Sequence, residues 1–157
     1  MADGATNTVA TREVDIRATV LRYLSLDSTL TAEVPTARWL PDGAGDTDTA
    51  ALADWLEPTL AFVTGAPSRS SGDARIAVDV GVVVRPGANI HRREEIANAV
   101  AAALANAVLT VKDYASGAGS TTVGTLRLYD PSYVNGGRVS GLHRGTVTVD
   151  GYYIQGD

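Results

Sequence analysis

The stretch from Arg75 to Val108 constrains the fold of this chain more than any other. Ile76, Val78, Val80, Val82 and Val84 repeat with period two, which places them on one face of a strand; Arg75, Ala77, Asp79, Gly81 and Arg85 fall on the other. Val83 is the exception on that second face and makes it less polar beside Arg85. After the turn Pro86-Gly87-Ala88-Asn89 the period changes. Asn89 is a candidate N-cap, and Ile96, Val100, Leu104 and Val108 stand four apart with Ala97 and Ala101 beside them, the stripe of a helix able to sit close on a sheet. A strand, a tight turn and a helix folded back on it form one unit of an α+β layer.

The flanking segments complete that unit. Residues 1–10 are small and polar and read as a flexible tail, leaving residues 11–157 as a single domain. From Thr11, a candidate cap, the chain reads as a helix with Glu13 and Asp15 in its first turn and a stripe of Val14, Ala18, Leu21 and Leu24. Ile16, Val20 and Tyr23 lie off that stripe and either widen the core face or meet a neighbouring subunit. Leu26 to Pro35 carries turn and cap residues, and 34–40 reads as a short edge strand containing Pro35. Trp55 to Thr64 is a strand in which Leu56, Leu60 and Phe62 share a parity around Pro58; it pairs with the 75–85 strand through a nine-residue connector, Gly65 to Asp73.

Tyr114 to Thr122 is a glycine-rich connector, and Val123 to Asp130 alternates as a half-buried strand. Asp130 to Arg144 then reads as an interruption, with turn signals at Asp130-Pro131 and Asn135-Gly136, before a last strand from Gly145 to Ile154. The expected fold is α+β: a small, mostly antiparallel or mixed sheet with a long hairpin, packed against two helices on one side.

Several chemistries find no support. With no cysteine, neither a disulfide nor a thiolate metal site can form. The aspartates of the Pro41–Thr49 loop lack the closing glutamate of a calcium loop. Gly117 and Gly119 do not open a helix after a strand, and no serine sits in a Gly-x-Ser-x-Gly elbow. His91 and His143 have no sequence partner for a relay and read as exposed or interface residues. Glu57 and Asp79 on neighbouring strands form either a carboxylate pair or the polar side of a half-solvated sheet. Arg92 and Arg93 stand where a helix dipole prefers acids, which points to an acidic partner outside the chain. No catalytic, cofactor or metal residue is expected. No apolar run reaches the roughly 20 residues that a membrane span needs, and the expectation is a soluble protein made in a cytoplasm. A net charge of −5 gives no general attraction to phosphate backbones.

The order of elements supports a more specific reading. An amino-terminal helix, a Trp-Leu-Pro segment at 39–41, the strand Trp55–Val63, the strand Ile76–Val84, the helix Arg92–Leu104, and His143-Arg144 leading into Thr146–Asp150 together resemble the tail terminator proteins of long-tailed bacteriophages. The resemblance covers about Thr11 to Ile154, and the 130–144 segment is longer than a minimal member needs. It implies a virion structural protein of the tail and neck. Such a protein forms a homo-oligomeric ring, usually of six subunits, on the last ring of the tail tube. It stops tube polymerisation and docks the head's connector or stopper protein. Its partners would be other copies, tail tube protein and the connector, with DNA passing through the bore unbound and no membrane involved. Six copies would carry about −30, six times −5, a charge that keeps DNA from sticking to the bore. Arg69, Val83, Arg85, Arg92, Arg93, Tyr133, His143 and Arg144 are the candidate subunit or partner interface. Two alternatives stand beside it: another phage neck or head-completion protein, and a small α+β binding or catalytic domain built on Glu57, Asp79 and the 65–73 loop.

Overall fold

In the computed structural model, which describes residues 9–41, 49–63, 74–87, 89–115, 117 and 119–156, the 75–85 stretch is strand β2 (Ala74–Val84). Ile76, Val78, Val80, Val82 and Val84 all lie in the core, none more than 4% exposed. The turn after β2 is fastened by Asn89. Its Oδ1 accepts from the His91 backbone N–H (2.9 Å), and its Nδ2 donates to Glu95 Oε1 (3.1 Å). Asn89 therefore braces the first turn of helix α3 (Arg92–Leu104), although His91 holds the cap position itself. Ile96, Val100 and Leu104 are buried as their spacing requires, but the stripe ends there. Asn106, whose amide side chain tolerates positive φ (here 53°), turns the chain into strand β3 (Val108–Lys112), leaving Val108 exposed.

The sheet is antiparallel throughout, in the order β1-β2-β5-β4-β3, with β1 Asp54–Val63, β4 Thr122–Val139 and β5 Leu142–Gln155. The expected interruption at 130–144 is instead the far half of a long β4–β5 hairpin. Asp130-Pro131 and Asn135-Gly136 break only the register, with irregularities between Leu128 and Pro131 and between Asn135 and Gly137. The chain reverses at Ser140-Gly141, both at positive φ (52° and 77°), between the paired Val139 and Leu142. His143 is accordingly a strand residue, paired with Val84 and Arg138, and not part of a loop. Two tyrosines rest on glycines along this hairpin. A Cβ on Gly145 would come within 2.5 Å of Tyr133, and one on Gly124 would meet the Tyr153 ring and hydroxyl at similar range.

Strand β1 pairs with β2 as expected, but a bulge between Pro58 and Leu60 splits the shared parity. Leu56 lies opposite Val82 on the core row, whereas Leu60 and Phe62 lie opposite Asp79 and Ala77. The edges of the sheet are interrupted. At β1, Trp39 forms a bridge to Leu56, and Pro58 removes a donor; β3 is only five residues and ends in Lys112; the free half of β4 begins at Pro131 and is broken again at Asn135/Gly137.

Helix α1 (Val9–Ser25) starts two residues inside the expected tail, so Thr11 does not cap it. Leu24 is buried as expected, and Ile16 and Val20 join it and widen the core face, while Val14, expected on the stripe, is 43% exposed. Polar ties on the adjoining flank account for the rotation: Asp15 Oδ1 accepts from the Ala115 N–H (2.8 Å) and Thr19 Oγ1 from the Lys112 N–H (3.3 Å), both next to β3. The 26–40 region is also rearranged. Asp27 caps a short helix, α2 (Ser28–Glu33), by accepting from the Leu30 N–H (2.9 Å); a 3-10 turn at Thr36–Arg38 and the single Trp39 bridge stand where a strand was expected. Residues of α1, α2 and α3 share one hydrophobic cluster with a single face of the sheet. Among the described residues no helix is long and apolar enough to cross a membrane.

Candidate assembly surface

The structure separates the candidate interface residues into three groups. Arg85 and Arg92 border a hollow of about 210 Å³ at the base of β1 and α3. Arg85 donates to the carbonyls of Leu52 (3.1 Å) and Thr49 (2.9 Å), holding the segment that enters β1. Arg92 pairs with Asp54 (3.0 Å), with the Glu33 carboxylate and with the Glu33 carbonyl (2.6 Å). Burial pulls the Arg92 pKa down, but its bonds to Asp54 and Glu33 outweigh this and the net direction is up. Asp54, 4% exposed, also faces Arg38 at 3.2 Å. The acids that an arginine at this helix start calls for thus come from within the chain, from α2 and β1.

Arg93 and Tyr133 form the second group, where α3 meets the far half of the hairpin. Arg93 donates to the carbonyls of Arg144 (3.3 Å) and Gly137 (3.5 Å) and pairs with Glu94 (3.0 Å). That hydrogen bond holds the Glu94 carboxyl below its usual range. Burial pushes the Tyr133 hydroxyl up, with Arg93 opposing. Tyr133 remains 37% exposed, beside Val134 at 61%.

The third group lies on the sheet face away from the helices. Trp55, Val83 and Arg144 form one cross-strand row on β1, β2 and β5. Arg144 reaches Glu57 (3.2 Å), whose other oxygen accepts from the Trp55 indole N–H (2.8 Å). Glu57 lies opposite Gly81, and Asp79 opposite Leu60, so the two carboxylates are not register partners. They border a hollow of about 250 Å³ with Thr59, Val83, Arg144 and Thr146, in which Glu57 is already committed to Arg144. His91 is exposed and His143 half-buried. Arg69, with the whole 64–73 connector, lies outside the described residues, as do Asp42, Asp46 and Asp48. Among the described residues no group of three His, Cys, Asp or Glu is placed to hold a metal.

Sequence reasoning missed a fourth feature on this same face. Arg75, Tyr152 and Arg127 lie side by side on β2, β5 and β4, flanked by exposed Tyr129, Ile154 and Val108. The outward parity of Arg127 and Tyr129 is visible in the sequence, but their juxtaposition with Arg75 depends on the strand order.

No protein-family model matches the chain, and no curated protein matches it. Among solved structures, the fold is similar to that of a chain from the virion of a native gene transfer agent particle, with 20% identity and a TM-score of 0.64. That likeness covers 95% of this chain and all of the other. A second solved chain is similar at 18% identity and a TM-score of 0.55, over 92% of this chain and 96% of its own length. At these identities the two likenesses establish a shared fold, end to end.

Proposed function

We propose that this chain is a structural protein of a phage-like particle and, within that class, a tail terminator. In this role it closes into a ring, six-membered by resemblance, on the last ring of the tail tube. It halts tube growth and offers its other side to the head's connector. The observation that supports the particle-level reading is the end-to-end likeness to a chain of a gene transfer agent virion. The order of elements that resembles the tail terminators supports the finer one. A non-enzymatic role agrees with how the polar groups are used, since Arg85, Arg92, Arg93 and Arg144 are each bound to the chain's own carbonyls or carboxylates.

A ring is the closed form of a head-to-tail contact, in which two different surfaces of one subunit meet. Tyr133, the register partner of Val147, lies on the helix side of the sheet, and Arg144, the register partner of Val83, on the other; the two sides suit such a pair. DNA would pass through the bore without specific binding. The deciding experiment is negative-stain microscopy of the purified protein, alone and mixed with tail tubes. Rings and capped tubes of uniform length are expected. Monomers at high concentration together with undecorated tubes would sink the proposal, and co-purification with portal in place of tube protein would move the chain to the head side of the neck.

A further inference from the structure

We infer that the Arg75–Tyr152–Arg127 row is a docking surface for the carboxylate-bearing exterior of a second copy of this chain. The inference rests on the ring reading above and specifies which face makes one of its contacts. The three residues sit in register on β2, β5 and β4, so each arginine flanks the tyrosine at the roughly 5 Å spacing of cross-strand neighbours. Arg75 and Arg127 are exposed, and among the described residues neither makes an ion pair or hydrogen bond. They contrast with Arg38, Arg92, Arg93 and Arg144, which are all paired with acids of the same chain. Beside Arg75 and Arg127 are exposed Tyr129, Ile154 and Val108. Tyrosine and arginine around an apolar patch is the composition of an interface centre, where those two residue types dominate the binding energy.

Charge selects the occupant. The chain has 18 acids against 13 bases, so a second copy presents a net excess of carboxylates. Asp79, on the same sheet face, makes no ion pair among the described residues. Nucleic acid fits less well. Two cations release about two counterions, too few for tight binding to a phosphate backbone. Asp150 borders the hollow of about 410 Å³ formed with Arg75, Tyr129 and Tyr152 and lowers the net positive charge of the row.

The test compares sedimentation of the wild type, R75E/R127E and R75K/R127K. The wild type should assemble at low ionic strength and weaken in about 0.5 M salt, where charge attraction is screened. R75E/R127E should lose association by at least about thirtyfold, with unchanged circular dichroism and melting temperature, while R75K/R127K keeps most of it. Assembly of R75E/R127E at wild-type strength would overturn the inference and leave the ring reading standing. So would loss of single-stranded oligonucleotide binding without loss of assembly. A wild type that stays monomeric at every concentration would overturn both.

Discussion

At the scale of single residues, two buried acids behave in opposite ways. Asp54 is satisfied by charge, facing both Arg92 and Arg38. Removing it leaves two arginines without their shared partner; because both are partly exposed, D54A should cost on the order of 2–3 kcal/mol by urea denaturation, below the loss for a fully buried pair. Asp15, 5% exposed, has among the described residues the Ala115 N–H alone to offset burial, and its carboxyl pKa is raised by that burial, with nearby Asp113 adding to it. A raised folded-state pKa means the native protein holds the Asp15 proton more tightly than the unfolded chain does. Its contribution is therefore fully present below the ordinary carboxylate pKa and is lost as pH rises through the folded value. D15N, which keeps an acceptor for Ala115, should gain stability relative to wild type across that window. Denaturation series at several pH values check this, and a flat or falling difference would contradict it. These partners were not legible in the sequence: Asp54 lies 38 positions from Arg92, and Glu33 lies 59 away.

At the scale of elements, legibility follows the strength of local pattern. Strand β2 was readable because five aliphatic residues alternate without a break, and α3 because its spacing of four persists to Leu104. The β4–β5 hairpin was misread because Asp130-Pro131 and Asn135-Gly136 carry stronger turn chemistry than Ser140-Gly141, where the chain reverses. Inside an established hairpin such dipeptides can be absorbed as register irregularities, since the pairs on either side hold the strands together. Gly141 at φ 77° makes the point testable: G141A should cost about 1 kcal/mol in thermal denaturation through the left-handed backbone alone. G145A should act differently. A methyl group there collides with the Tyr133 ring, so the ring must swing aside, and its fluorescence and the hydrogen-exchange protection of residues near Val147 should change together. The face of α1 was illegible for another reason. Two apolar stripes compete in its sequence, and the ties from Asp15 and Thr19 to the β3 region decide between them.

At the scale of the molecule, a helix layer covers one side of a five-stranded sheet, while the other side carries Arg75 and Arg127, unpaired among the described residues, beside exposed apolar side chains. Packing in the covered layer is tight; I96A, fully buried against the sheet, should cost about 3 kcal/mol by chemical denaturation. Of the candidate residues named from the sequence, Tyr133 and Arg144 reach the surface in part and Val83 is buried, whereas the arginine–tyrosine row required knowledge that β5 lies between β2 and β4. The interrupted edges have a consequence for the manner of growth. A sheet whose borders carry Pro58, Pro131, Lys112 and register breaks offers poor footing for another chain's backbone. In the proposed ring, copies would therefore meet through side chains on their faces and not by adding strands to one another's sheets, and closure would be set by the angle between those faces.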